Sequence, residues 1–283
     1  MQYKEITESG APPSGRSASI SVVIPCYRCL ASIDRALASV AAQTLQPLEI
    51  LLVDDASNDG TLEHIRGLES LDAAGRIQVI SLRENAGPGG ARNRGWDLAK
   101  GEFIAFLDAD DSWHPRKLEL QWDYLREHPQ TVLSGHAIAR GSKGPSPVIG
   151  SSIARQISAY RLLFSNPIAP TSAMLRRELP LRFREGHRHM EDHLLWMDIA
   201  FQGHTVACID LPLAYQYKAP FGEGGLSAQL WLMEKADLNN YLLLRQSGKL
   251  GAPWLILLWP WSFLKFLRRL LITAFASLSA KNQ

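Results

Sequence analysis

The sequence predicts an α/β fold: a doubly wound, mostly parallel sheet carrying a C-terminal helical extension. Three observations carry that reading. Short apolar runs rich in β-branched residues alternate with segments of helical spacing over the first part of the chain. That rhythm implies strand–helix–strand crossovers and hence parallel strands. Polar clusters follow directly on three of the runs: Pro25-Cys26-Tyr27, Asp54-Asp55, and the aspartates of 108–111. In such sheets ligands bind beyond the carboxyl ends of the strands, so these clusters mark a candidate site.

The elements follow in order. Residues 20–25 form an apolar run closed by Pro25, the pattern of a strand buried on both faces. Ile33, Leu37, Val40 and Ala41 then fall on one helical face. Residues 48–53 repeat the strand pattern and run into Asp54-Asp55. Asp59-Gly60-Thr61 opens a second helix through Leu62, Ile65 and Leu68. Residues 77–80 are a third strand, and 87–99 a helix entered through a glycine-rich turn. Residues 103–107 are a fourth strand, ending at Asp108. Beyond about residue 135 the rhythm loosens. Residues 141–152 read as a Gly/Ser/Pro loop, 171–175 as a strand, 189–201 as a helix and 205–210 as a strand. Residues 220–227 read as a glycine-containing mobile loop.

Length and composition narrow the function. A chain of 283 residues is long enough for one large α/β domain with an extension, or for two small domains. The hydrophobic fraction of 46% and charged fraction of 20% are ordinary for a globular protein. A net charge of only +2 gives no electrostatic case for nucleic acid. Three cysteines, Cys26, Cys29 and Cys208, are too few for a disulfide scaffold. Cys26 and Cys29 form a C-x-x-C, but no second pair or histidines complete a zinc site, and they read as small side chains near a pocket floor. Residues 1–18 carry Lys4, Glu5 and Glu8 with no apolar run, so they read as a flexible lead-in rather than a signal peptide. The expected divisions are 1–18, a domain over 19–219, and a helical segment over 220–283, in a cytoplasmic protein.

The aspartates after the fourth strand are the strongest chemical signal. Strand alternation puts Asp108 and Asp110 on one side. Two carboxylates in one pocket repel unless a cation sits between them, and a divalent ion bridging diphosphate oxygens meets that need. The competing reading is a turn of helix-capping aspartates before Trp113-His114-Pro115. For Glu191 and Asp192, the competing reading is stabilisation of a helix N-terminus through its dipole.

With these residues in place, the chain resembles the family 2 glycosyltransferases of the GT-A fold, of the type that builds bacterial cell-surface polysaccharides. The resemblance spans roughly 19–215. It rests on the order of Val22-Val23-Ile24-Pro25-Cys26-Tyr27, Leu52-Val53-Asp54-Asp55-Ala56-Ser57, the Asn85-to-Gly95 segment with Arg92, Phe106-Leu107-Asp108-Ala109-Asp110-Asp111, and Glu191-Asp192. The resemblance implies that Pro25 and Tyr27 line a nucleotide-base pocket. It implies that Asp55, with Asp54 beside it, accepts a hydrogen bond from the base. Arg92 would face the donor, Asp108 would approach the ribose and share in metal binding, and Asp110 would ligate Mn or Mg. Asp192 would be the catalytic base, with Glu191 and Asp198 competing for that role and Glu191 better suited to orienting the site, in a reaction that inverts the anomeric carbon. The donor would be a nucleotide-diphosphate sugar, and the acceptor a glycan or lipid-linked hydroxyl. For Arg92 an ordinary surface ion pair remains the competing reading, and Asn93 reads as structural.

The chain departs from the family pattern where relatives carry a late histidine near the metal. Here Tyr215-Gln216-Tyr217-Lys218 stands, and Lys218 is left to supply positive charge. Gln-x-x-Arg-Trp, the mark of processive relatives, is missing, which points to addition of one sugar. A metal-dependent nucleotidyltransferase and a catalytically inactive membrane-bound assembly subunit are the alternative functions.

Residues 253–278 are dense in large apolar side chains, with Pro260 expected to interrupt the run. The apolar stretch before Lys265 gives about 18 Å of helix, too short for a hydrocarbon core of about 30 Å. Lys265, Arg268 and Arg269 share one helix face. The expectation is therefore an interfacial helix with its basic residues toward anionic lipid, peripheral on the inner face of the cell membrane. Packing on the protein's own core or at a dimer interface is the other reading.

Overall fold

The computed structural model describes residues 5–6, 18–141, 152–218 and 226–281. Its centre is a ten-stranded sheet. Four strands form the parallel half: β2 (Ile20–Cys26), β3 (Glu49–Asp54), β4 (Ile77–Ser81) and β5 (Phe103–Phe106). β1 (Glu5–Ile6), β6 (Asp111–Trp113), β7 (Thr131–Arg140), β8 (Ser152–Ile157), β9 (Met174–Arg176) and β10 (Thr205–Gln216) complete it. The order is β1-β8-β10-β7-β9-β5-β2-β3-β4, with β6 paired to β10. β9 runs antiparallel between β5 and β7, while β7 and β10 are parallel to each other.

Strand alternation sorts the core into two layers. Ile20, Val22, Ile24, Ile50 and Leu52 face one side. They pack on α1 (Ile33–Ala41), α2 (Thr61–Leu71) and α4 (Lys117–Glu127) through Ile33, Ile65 and Leu118. Val23, Leu51 and Val53 face the other side. They pack with Ala91 and Trp96 of α3 (Gly87–Leu98) and Leu194 and Trp196 of α6 (Glu191–Phe201). Helices on both faces of a mostly parallel sheet are the doubly wound arrangement expected. Gly95 lets α3 approach this closely, because a Cβ there would meet the γ-carbons of Val23 and Val53.

The second half of the chain differs in detail from the sequence expectation. The strand expected at 171–175 is a 3-10 turn, Pro170–Ser172, followed by β9. The helix expected from 189 starts at Glu191, because Met190 sits at φ 54°, in the left-handed region. The strand expected at 205–210 runs on to Gln216, with register shifts around Pro212, which has no N–H for a regular ladder. Within the expected lead-in, Glu5–Ile6 pairs antiparallel with Ile153 and Ser152. Most of the loop read at 141–152, and 220–225 of the second loop, lie outside the described residues.

Two helices close the chain, α7 (Leu230–Gln246) and α8 (Ala252–Lys281), and a short α5 (Ala159–Phe164) lies against them. Pro260, which interrupts the apolar run, lies inside α8 and does not end it. Proline removes one backbone bond and crowds the preceding turn. Here it lies on the exposed side of the helix, where water reaches the carbonyl left over. Among the described residues, no helix is long and apolar enough to cross a membrane.

Candidate active site

Parallel register brings the ends of β2, β3, β4 and β5 to one edge of the sheet. Cys26 pairs with Asp54, Asp54 with Ser81, and the Leu107 N–H donates to the Val23 carbonyl at 3.1 Å. The polar clusters read from the sequence therefore share one rim. Pro25 is half-buried at the end of β2, and Tyr27 is exposed with the Arg28 guanidinium 5.2 Å from its ring centre. Cys26 and Cys29 are buried and free, in keeping with small side chains lining the floor.

Asp55 has a specific local task. Its Oδ1 accepts from the Ala86 N–H at 2.7 Å and its Oδ2 from the Gly87 N–H at 3.0 Å. Burial holds its pKa above the ordinary carboxylate value, a rise that these two backbone bonds oppose only in part. The carboxylate thus ties β3 to the turn that starts α3, a turn that needs Gly87 at φ 77°. Asp54 is buried beside it, with Oδ2 accepting from the Ser57 N–H at 3.3 Å.

One turn into α3, Arg92 reaches the centre of the rim. It is buried, at 4% exposed, which removes the reading of a surface ion pair. Nη2 donates to Asp108 Oδ1 at 2.7 Å and Nη1 to Glu191 Oε1 at 2.9 Å. The fixed fork of a guanidinium suits it to join two carboxylates from different elements. Burial disfavours its charge, but Asp108 and Glu191 more than compensate and hold its pKa above the usual guanidinium value. Asn93, the next residue, exchanges two bonds with the Phe183 backbone at 2.8 and 3.0 Å, so it is structural as expected.

The acidic turn after β5 is crowded. Burial, Asp110 and Asp192 raise the Asp108 pKa against the pull of Arg92. Burial and the charges of Asp108 and Asp110 push Asp111 up to about 8. Asp110 is the more accessible, and its Oδ2 pairs with Lys218 Nζ at 2.8 Å. The antiparallel pairing of β6 with β10, Asp111 opposite Gln216, brings the Tyr217-Lys218 segment there. Arg35 completes the clasp: Nη2 donates to the Asp110 carbonyl at 2.6 Å and the guanidinium sits 3.7 Å from the Tyr217 ring centre. The Tyr217 hydroxyl bonds Ser112 Oγ at 2.8 Å.

Glu191 and Asp192 open α6. Glu191 is buried against Arg92, and burial together with the Asp192 charge pushes it up to about 7. Asp192 is half-buried, and its Oδ2 accepts from Asn166 Nδ2 at 2.8 Å. Its charge acts on Arg92, Asp108 and Glu191, so all four belong to one electrostatic cluster. Asn166, Arg35 and Tyr217 are additions that sequence reading missed. Asn166-Pro167 signalled only a turn, and nothing local links it to a helix 26 residues further on.

The residue set can be tested against a divalent cation. Among the described residues, no three His, Cys, Asp or Glu side chains form a cage. Mg-type sites use one or two carboxylates, with substrate phosphates and water completing the shell. Asp110 is accessible and already holds a cationic group, and its acidic neighbours disfavour accumulating negative charge without a cation. The residues fit an ion of that kind.

Residues 21–188 match the family described as Glycosyl transferase family 2. The chain belongs to that family. This glycosyltransferase is 32% identical over 181 residues to WfgD of Escherichia coli, a UDP-Glc:alpha-D-GlcNAc-diphosphoundecaprenol beta-1,3-glucosyltransferase. That match covers 64% of the chain and 69% of WfgD. It is 39% identical over 108 residues to TuaG of Bacillus subtilis (strain 168), a putative teichuronic acid biosynthesis glycosyltransferase, covering 38% of the chain and 42% of TuaG. The fold matches S. aureus TarS 1-349 in complex with UDP-GlcNAc (TM-score 0.62, 22% identity, 79% of this chain and 66% of that one). It also matches the mannosyltransferase PcManGT from Pyrobaculum calidifontis in complex with GDP-Man and Mn2+ (TM-score 0.64, 19% identity, 98% and 83%). The glycosyltransferase spans less than half of TuaG and 39% of a longer TarS chain. Both structural matches show a shared GT-A fold. Of the three functions weighed from the sequence, glycosyl transfer is the one that family membership supports.

Proposed function

We propose that this glycosyltransferase moves one sugar from a nucleotide-diphosphate donor to a glycan or lipid-linked hydroxyl, with inversion, in cell-surface polysaccharide synthesis. The observation that carries the reading is the Arg92 fork, which gathers Asp108 and Glu191 beside Asp192 at the strand-end rim. Named relatives act on a UDP-sugar and a diphosphoundecaprenol acceptor or in teichuronic acid synthesis, which supports the donor and acceptor classes.

In this reading Pro25 and Tyr27 border the base, with Asp54 and Asp55 below it, and Asp108 approaches the ribose. Asp192 takes the proton of the acceptor hydroxyl as its oxygen attacks the anomeric carbon. The bond from that carbon to the diphosphate oxygen breaks, and the nucleoside diphosphate leaves with the electron pair. Attack opposite the leaving group inverts the centre. Asn166 holds one oxygen of Asp192, which leaves the other to face the acceptor. Arg92 and Glu191 hold Asp108 in place, while Arg35 and Lys218 bring positive charge to the diphosphate side. A divalent ion on Asp110, when bound, supplies electrostatic stabilisation of the leaving diphosphate. Nucleoside diphosphate release during sugar transfer, measured with a panel of nucleotide sugars with and without Mn2+, tests the assignment. Release of pyrophosphate instead, or no donor turnover with any acceptor, would refute it.

Lys218 and the metal compete for Asp110 in this scheme. Lys218→Ala is therefore expected to tighten Mn2+ binding to the donor-free protein. The pair is largely exposed, so the gain is up to about fivefold. Calorimetric titration with Mn2+ alone checks it; weaker binding by the variant would contradict the competition.

Membrane association remains part of the reading, on a changed footing. The sequence expectation turned the basic residues of α8 toward anionic lipid, and the fold corrects this. Lys265 and Arg269 point inward, onto Asp237 and Glu234 of α7, and only Arg268 is exposed. The outward face is instead apolar: Ile256, Leu257, Trp259, Phe263, Leu264, Leu267, Leu270 and Leu271. It continues onto Trp231 of α7, whose ring packs 5.8 Å from Phe266. An apolar face with charges turned inward suits insertion among lipid chains at the bilayer surface, at the cytoplasmic side where nucleotide sugars would be met. Binding should therefore persist on vesicles of neutral phosphatidylcholine and in high salt, and Leu264→Glu with Leu267→Glu should abolish it. Flotation that needs anionic lipid would contradict this account.

A further inference from the structure

α7 and α8 do more than carry an outer apolar face. The last three carbonyls of α5 have no partner within a helix of their own. Each accepts a bond from a different later helix. His193 Nε2 of α6 donates to Leu162 O at 2.6 Å, the Tyr241 hydroxyl of α7 to Leu163 O at 2.9 Å, and Trp261 Nε1 of α8 to Phe164 O at 3.0 Å. Two residues beyond, Asn166 makes its bond to Asp192. The loop between is pinned again by Trp196 Nε1 on the Ile168 carbonyl at 2.9 Å.

The other side of the pair is held in the same way. Asn240 of α7 donates to the carbonyl of Met190 at 2.9 Å, at the left-handed residue just before Glu191 and Asp192, and accepts from His187 Nε2 at 2.9 Å. Asp237, one turn earlier and fully buried, stands 3.4 Å from His193 Nδ1. Its second oxygen takes Lys265 Nζ at 2.7 Å, with Ser262 Oγ and Arg269 Nη2 each at 3.5 Å, all from α8. Lys265 also donates to the Tyr241 hydroxyl at 3.2 Å. Contacts from α6, α7 and α8 therefore reach the α5 carbonyls two to four residues before Asn166, and α7 also reaches the Met190 carbonyl two residues before Asp192.

We infer that α7 and α8 belong to the catalytic apparatus, with Tyr241, Trp261 and Asp237 as positioning residues that set the direction of the Asp192 carboxylate. The inference rests on the assignment of Asp192 as base. The left-handed Met190 just before α6 is kept in place only if its surroundings over-determine it, and Asn240 supplies that constraint. Misplacement of a reacting group by about 1 Å costs up to roughly a hundredfold in rate, with binding left intact.

The test is the Tyr241→Phe, Trp261→Phe double variant, which keeps both rings and removes two donors to the α5 carbonyls. Steady-state kcat and KM for the donor, calorimetric donor affinity and thermal unfolding are measured against the parent. The expected result is a kcat lower by roughly five- to a hundredfold, with donor affinity within about twofold and Tm lower by only a few degrees. A kcat equal to the parent's overturns the inference. So does loss of donor affinity in parallel with kcat, the mark of general loosening. Trp261→Phe alone, at a partly exposed indole, gives the same reading should the double variant fold poorly. Asp192→Asn, run alongside, separates the failures. An active Asp192→Asn defeats the base assignment itself, whereas an inactive one beside unaffected helix variants defeats only the positioning role.

Discussion

Asp192→Asn should lower turnover by about two to four orders of magnitude, the range contributed by a positioned general base. The substitution keeps the shape of the side chain, and its carbonyl oxygen can still accept from Asn166 Nδ2. The Arg92 network should survive, because Arg92 bonds Asp108 and Glu191 rather than Asp192. Donor affinity and thermal stability should therefore stay near the parent values, and the loss should fall in kcat rather than KM. Single-turnover transfer with saturating donor, alongside calorimetric donor binding, checks both halves. Retained turnover would move the base elsewhere. Glu191 is the weaker alternative, since it is buried and faces Arg92 rather than an open acceptor side.

Arg92→Met should have the largest effect on the fold and disable the site as well. The methionine fills the space of the side chain's stem but leaves Asp108 and Glu191 facing each other without a cation. Breaking a buried ion pair by removing one partner costs about 3–5 kcal/mol, because the remaining charge is uncompensated. In a chain of this size that lowers Tm by roughly 10 °C. Glu191, already pushed up to about 7 by burial and Asp192, loses the opposing pull of Arg92 and is driven further toward its neutral form. The carboxylate at Asp108 loses its anchor at the same time, so donor affinity should fall along with stability. Arg92→Lys should recover part of the stability, since one ammonium can neutralise the site. It should recover little activity, because a single point charge cannot bridge both carboxylates as the fork does. Thermal melts and donor titrations of the two variants separate charge from geometry. Equal losses in Met and Lys would show that charge alone contributes nothing, and parent-like behaviour of both would show that neither charge nor geometry matters.

The parallel half of the fold was legible because each buried strand is a continuous β-branched run, a local signal. The rim followed from it, since parallel strands must end on one side. Arg92 stood out only through the family resemblance, and its burial was not legible: whether a helical arginine faces inward depends on acids brought from β5 and α6. Asn166 was invisible because its partner lies on another element, and an Asn-Pro dipeptide signals only a turn. Lys218 was noticed as a departure from the family, but its approach to Asp110 depends on the β6–β10 pairing, a three-residue ladder with no pattern of its own. The orientation of α8 was read backwards for an instructive reason. Periodicity places Lys265 and Arg269 on one face but does not say which way that face turns. The answer lies in Glu234 and Asp237 on α7, whose burial is intelligible only once the two helices are side by side.

The central claim is that Asp108 and Asp110 of the turn after β5, Arg92 of α3 and Asp192 of α6 surround a single nucleotide-diphosphate and cation site. Crystals soaked with UDP and Mn2+, with data collected at the manganese absorption edge, test it most directly. The account predicts one anomalous peak beside Asp110, with the nucleotide on the same rim between Asp108 and Asp192 and the Lys218–Asp110 pair opened. A manganese peak away from Asp110, or nucleotide bound in a cavity that Asp108 and Asp192 do not line, would contradict it.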